Sequence, residues 1–349
     1  MSRAVGSPRL RRTAGLAAMA LLLWTRAPAA LQEPPFTERV EVARVLVDAR
    51  VFDRRGRPVA DLEPSDFAVR IGGRRARVES AEWIGTGAPS SGPGEADDPG
   101  TAPPGRLVVF LVQKDFDPPR MLGLMQMSLL ADTLLRPLTR ADRVAVLSFD
   151  SRLRVWTDFT SQLDRVRMIL ADEVLRRYPQ PVSASPDVSL MSRLDPDTAA
   201  RISDVEDALR HIAESLEPLP GAKSLVMLGH GFGRFNARTG DVALLDGYAE
   251  ASAALQRARV AVFSLNVTQA HFNSLQAGLQ TVAAETGGLY SSTYEFPTTA
   301  VERVSRALAG YYVLFVEKPD LGQGVHRIEV GLRARRGSVF ARSSYVEAR

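Results

Sequence analysis

No cysteine occurs among the 349 residues. That absence excludes disulfides, a lipidated cysteine at a cleavage point and a thiol nucleophile. Histidine is scarce: His211, His230, His271 and His326 are the four copies, and none falls in a His-Glu-x-x-His pair or other metal-ligand spacing. Missing too are Gly-x-Ser-x-Gly, the turn that presents a hydrolase serine, and Gly-x-x-x-x-Gly-Lys-Ser/Thr, the loop that cradles nucleotide phosphates. An excess of one charge vanishes once its location is considered. The formal net charge is +4, but Arg3, Arg9, Arg11, Arg12 and Arg26 stand in a stretch without acids; of 44 basic residues, 39 then remain to face 40 acids. A near-neutral remainder gives no ground for a nucleic-acid partner.

What is present begins with an Arg-rich start, an apolar run over residues 14–24 and the small residues Ala27, Ala29 and Ala30. The run is short for a membrane span, so residues 1–30 read as a secretory signal peptide. The expectation is an exported protein, periplasmic or secreted, with no stable membrane span after cleavage. Arg11-Arg12 leaves the general and twin-arginine export routes both open.

Residues 36–85 alternate apolar and polar positions in short runs broken by Arg55-Gly56-Arg57-Pro58 and Gly72-Gly73, which predicts a small β unit with a tight hairpin. Nine acids interleave with ten arginines there, the mark of a solvated face. Residues 86–105, rich in Gly, Pro, Ala and Ser, read as a disordered linker. From 106 to 310 strands alternate with helices. The apolar runs at 107–112, 143–149, 153–157, 224–228, 260–266 and 288–292 read as strands, and the amphipathic stretches at 120–136, 161–177, 202–216, 241–257, 272–286 and 298–309 as helices. This alternation predicts an α/β fold with a doubly wound, mostly parallel, Rossmann-like sheet. Residues 178–200 interrupt it and read as a mobile or partner-facing insertion. Methionines 121, 125 and 127, with Leu122 and Leu124, read as a core-facing helix stripe. Residues 311–349 return to β alternation, and could pair with 36–85.

An ordered set of segments carries a family resemblance: VDARVFDRRGRPVADLEPSDFAVRIGGR, then RLVVFLVQKD, DRVAVLSFDSRLRVWTDFT, LVMLGHGFG, ALQRARVAVFSLN, AAETGGLY, and ALAGYYVLFVEKPDLGQGVHRIEVGLRARRGSVFARSSY. Together they resemble the von Willebrand factor type A superfamily, and within it the secreted bacterial type A-related proteins of acidobacterial kind. The resemblance implies a protein-binding, adhesion-type domain and a metal-ion-dependent adhesion site of pattern Asp-x-Ser-x-Ser, with a later Thr and Asp. Here Gln113, Asp115 and Asp117 stand at the first three positions, Ser203 at the Thr and His230 at the last Asp. Two anchoring carboxylates are thereby lost. Mg²⁺ wants hard oxygen ligands, and histidine suits Zn²⁺ better. The site reads as degenerate: no cofactor is expected, with a divalent cation (Mg²⁺, Mn²⁺, Ca²⁺ or Zn²⁺) on Asp115, Asp117, Ser203 and His230 as the alternative.

The function expected is therefore an exported, non-catalytic protein that recognises an envelope or extracellular protein. Recognition is assigned to rim loops at the C-terminal edge of the sheet: 113–119 with Gln113, Asp115 and Asp117, the neighbourhood of Ser203, and 229–235 with His230 and Phe232. Two other classes stay open: a structural or assembly component of the cell envelope that binds through its β domain, and a hydrolase using His230.

Overall fold

A computed structural model describes residues 44–85, 105–240, 242–334 and 336–347. The signal-peptide reading, residues 36–43 of the β unit and all but the last residue of the linker reading lie outside these. All described residues belong to one compact unit, Val42–Arg349. No helix among them is long and apolar enough to cross a membrane.

The chain starts with strand β1 (Arg44–Phe52), then β2 (Phe67–Ile71), β3 (Arg74–Ala76) and β4 (Val78–Gly85). The hairpin between β2 and β3 turns on Gly72 and Gly73, at φ 57° and 78°, the left-handed pair that a two-residue turn matched to strand twist requires. Next come β5 (Leu107–Gln113), α1 (Pro118–Leu129), α2 (Ala131–Leu135), β6 (Arg143–Phe149) and β7 (Leu153–Thr160). After them follow α3 (Leu163–Met168), a π turn over Ile169–Glu173, α4 (Val174–Arg176), α5 (Pro196–Arg201) and α6 (Val205–Leu216). The third quarter holds β8 (Lys223–Gly229), a short β9–β10 ribbon (Arg234–Phe235, Val242–Ala243), α7 (Tyr248–Arg257), β11 (Val260–Asn266) and α8 (Gln276–Thr286). The chain closes with β12 (Tyr290–Ser292), α9 (Pro297–Leu308), β13 (Gly310–Glu317), β14 (Gly324–Leu332), β15 (Ser338–Ala341) and β16 (Ser344–Glu347).

Six strands form the central sheet in the order β12-β11-β8-β5-β6-β7. All pair in parallel except β7, which runs antiparallel to β6. Parallel strands covered on both faces need apolar residues at every position, and β5, β8 and β11 are buried throughout. Side-chain parity divides them: Val109 and Leu111 face a core shared with Leu209 and Ile212 of α6, Leu255 of α7 and Val282 of α8. Val108, Phe110 and Val112 face the opposite core, with Leu124 and Met127 of α1, Leu134 of α2 and Val301 and Val304 of α9. The expected doubly wound α/β sheet is therefore present.

The flanking β structure is built from both ends of the chain. Strands β15-β1-β13-β4 form one antiparallel sheet and β16-β14-β2-β3 another, so β13 from the tail sits between two strands of the N-terminal unit. Their shared core centres on Tyr312, which is fully buried and meets Phe67 and Trp83 edge-on at 5.3 and 5.0 Å. Its hydroxyl accepts the Leu62 N–H at 2.9 Å.

Three expectations change. The 178–200 insertion is anchored: Leu190 and Leu194 are buried, and the Asp158 carboxylate accepts Ser185 N–H, Ser189 Oγ–H and Leu190 N–H at 2.9, 2.5 and 2.8 Å. The methionine stripe is split. Met127 and Leu124 enter the core, whereas Leu122 and Met125 are each 52% exposed, because a 100° helical step sends neighbours to different faces. The helix expected over 120–136 ends at Leu129 and restarts at Ala131.

Candidate functional site

The site lies where β5 and β8 end side by side. Gln113 is the last residue of β5 and is 5% exposed. Its amide is fully used. Oε1 accepts the N–H groups of His230 and Gly231 at 3.1 and 3.2 Å, and Nε2 donates to the Gly231 carbonyl at 2.8 Å. Residue 229 must be glycine for this bridge to form, since a Cβ there would lie 2.5 Å from Gln113 Oε1. Gly231 adopts φ 114°, a conformation that favours glycine.

With Oε1 committed to two donors, Nε2 of Gln113 presents its second hydrogen to His230 Nε2, 3.1 Å away. The imidazole must then accept at Nε2 and carry its proton on Nδ1. That nitrogen is buried without a partner among the described residues. Burial lowers the His230 pKa to about 4; the Arg120 guanidinium acts in the same direction, against Asp115. His230 is therefore neutral at physiological pH, with its one lone pair taken by Gln113.

The loop after β5 brings the two carboxylates to a single cation. Pro118 and Pro119 start α1, as proline suits a first helical turn, and that start sets Arg120 facing back over the loop. Asp115 Oδ1 accepts the Asp117 N–H at 2.9 Å, its Oδ2 ion-pairs with Arg120, and Asp117 lies 3.6 Å from the same guanidinium. Burial pushes the Asp115 carboxyl up, but the Asp117 N–H and Arg120 together outweigh it and hold the group below its usual range. Across the opening, Asp204 caps α6 by accepting the Asp207 N–H at 2.8 Å, which leaves Ser203 exposed just before the helix.

Gln113, Asp115, Ser203 and His230 line one cleft of about 330 Å³, with Phe116 and Ser151 at its edge. The sequence-derived set is thus brought together, with two exceptions. Asp117 turns to Arg120 and does not line the cleft. Phe232, expected on the rim, is 3% exposed and packs beneath it against Tyr248 at 6.0 Å.

The donor set does not fit a divalent cation. Such an ion needs several oxygens at about 2.0–2.6 Å, and among the described residues no three His, Cys, Asp or Glu side chains converge. Gln113 and the His230 lone pair are spent on each other and on backbone. Arg120 supplies the positive charge that Asp115 and Asp117 would otherwise seek from an ion. Among the described residues, the hydrogen bond to the His230 side chain comes from Gln113 and not from a hydroxyl.

Sequence reasoning missed the aromatic surface of this edge. Phe116, Phe235, Phe272 and Phe296 are 87%, 48%, 71% and 67% exposed. Each stands in a segment that follows one of the parallel strands β5, β8, β11 and β12. The only signal in the sequence was their position after strand ends.

No protein-family model and no curated protein matches the chain. Solved structures do. A protein described as von Willebrand factor type A from Catenulispora acidiphila superposes with a TM-score of 0.39 at 11% identity, over 82% of this chain and 74% of that one. The manganese-loaded TRAP protein of Plasmodium vivax gives 0.36 at 12% identity, over 75% and 96%. The conserved hypothetical protein BatB from Bacteroides thetaiotaomicron gives 0.37 at 14%, over 58% and 97%.

Proposed function

We propose that the chain is an exported, non-catalytic binding protein that captures a protein partner on the aromatic rim at the C-terminal edge of its sheet, without a divalent ion. The observation that carries this reading is the set of four exposed phenylalanines, each in a segment that follows one of the adjacent parallel strands β5, β8, β11 and β12. Apolar rings held in water on a rigid edge gain free energy when a partner covers them, and aromatic anchors dominate the energetics of protein interfaces. Asp115, Asp117 and Arg120 form a nearly neutral polar patch beside Phe116, so charge attraction to a single-sign partner contributes little. Gln113 and His230 hold the cleft floor in shape.

Capture from envelope extract on immobilised wild type and on a Phe116→Ala/Phe272→Ala variant, each with and without chelator, tests the proposal. The expected result is a partner retained in chelator and lost in the double variant, with each ring contributing about tenfold or more in affinity. Retention by the variant, or release by chelator, contradicts it.

A further inference from the structure

At the opposite edge of the central sheet, where the β structure meets it, positive charge is buried without enough negative charge to match. Four cations surround one carboxylate. Lys223 opens β8 and is 3% exposed, Arg50 of β1 is 2% exposed, and Arg259 and Arg342 complete the set around Asp48 of β1. Asp48 is already committed: Arg259 Nε reaches it at 3.0 Å and a second guanidinium nitrogen ion-pairs with it. Arg259 also holds a φ of 53°, a strained conformation for a residue with a side chain. The other acid acting on Lys223 is Glu217, which is paired with Arg257 at 3.4 Å.

The remaining cations have donors to spare. Arg50 is held by the rings of Phe263 and Tyr311, 4.8 and 5.2 Å from its guanidinium carbon, and by a long 3.3 Å bond to Ser224 Oγ. Arg342 donates one bond to the Leu46 carbonyl at 2.7 Å. The Nε atoms of both arginines are buried with no acceptor among the described residues. Lys223 donates to the Ala258 carbonyl at 3.0 Å, and an ammonium has two more hydrogens to give. Burial, then Arg259, lowers Lys223 to about 8, and burial lowers Arg50 to about 10, as expected where positive charges are under-neutralised. Between these groups lies a small cavity, with room for at least a water-sized particle.

We propose that this junction cavity, lined by Arg50, Lys223, Arg259, Arg342 and Asp48, is a binding site for a single halide-sized anion such as chloride. A monatomic anion accepts from any direction, so it satisfies leftover N–H donors that converge from several elements. It also brings the local charge nearer to zero at the seam between the β structure and the α/β sheet. A water molecule would satisfy donors without offsetting charge. Chloride concentration would thereby set how firmly the seam is held, independently of partner capture at the rim.

The test uses the full chain in sodium chloride, bromide and gluconate at equal ionic strength, with a crystal of the wild type soaked in bromide. Thermal unfolding in about 0.2 M chloride or bromide is expected roughly 4 °C above that in gluconate for the wild type. The difference is expected to shrink in Arg342→Gln and to grow in Asp48→Asn, which removes the competing carboxylate. Anomalous scattering is expected to place one bromide among Arg50, Lys223 and Arg342. Equal unfolding temperatures in the three salts, or bromide found only elsewhere, overturns the proposal; the soaked wild type decides the matter even if Arg342→Gln fails to fold.

Discussion

Lowering the pH from 7.5 to 5 should weaken the fold through His230, because the imidazole is buried, 3.1 Å from one amide donor and close to Arg120. Its pKa falls from 6.5 in the unfolded chain to about 4 in the fold. Above 6.5 both states are neutral and the group contributes nothing. As the pH falls below 6.5 the unfolded chain takes up a proton that the fold refuses, so stability is lost until about pH 4, where the fold is protonated too. A shift of that size corresponds to about 3 kcal/mol in full, of which about 2 kcal/mol is lost by pH 5. Asp115 and Asp142, whose folded pKa values are depressed, lose stability mainly below this window. Glu206, raised by burial, gains stability as the pH falls, but does so equally in a variant. The assay is urea unfolding of wild type and His230→Gln at both pH values. Wild type should lose about 2 kcal/mol more than the variant between them. Equal losses would refute the buried, neutral assignment of His230 and the tautomer derived from it.

Two more substitutions probe how the site is supported. Asp158→Ala strands three donors of the 178–200 insertion and the Phe159 N–H, which the same carboxylate accepts at 2.8 Å; limited proteolysis should then cut within residues 178–195, while the wild type resists. Asp142→Asn breaks a buried pair in which the carboxylate meets Arg106 Nε and a second guanidinium nitrogen at 2.8 and 2.6 Å and also accepts the Arg106 and Thr139 N–H groups. Leaving Arg106 buried and unneutralised should cost about 3–5 kcal/mol in chemical unfolding, and a loss under 1 kcal/mol would count against the pair's importance.

Strand positions were legible because a strand buried on both faces must be apolar at every residue; 143–149 and 260–266 were read from that run alone. The antiparallel course of β7 was not, since Leu153–Thr160 alternates in the same way whichever direction it pairs. The family resemblance grouped Gln113, Asp115, Asp117, Ser203 and His230, and all of these but Asp117 line one cleft. Arg120 escaped notice because its role depends on the angle at which a proline-initiated helix leaves the loop, which spacing does not encode. Phe232 and Phe235 illustrate the same limit: three residues apart, one packs under the rim and the other is 48% exposed. The sequence reading put Phe232 on the rim and did not single out Phe235. Leu190 and Leu194, apolar islands in a polar insertion, were signals of anchoring outweighed by the surrounding Pro, Ser and Asp.

In the proposed mode of binding, Arg120 takes the place of an ion between Asp115 and Asp117, and the rim binds without metal. Isothermal titration of the wild type and of Arg120→Ser with Mg²⁺, Mn²⁺, Ca²⁺ and Zn²⁺ tests it most directly. No binding heat is expected for the wild type, and weak divalent binding, most readily of Mn²⁺, once the guanidinium is gone and the two carboxylates are left unpaired. Stoichiometric binding of any of these ions to the wild type, abolished by Asp115→Ala, would contradict it.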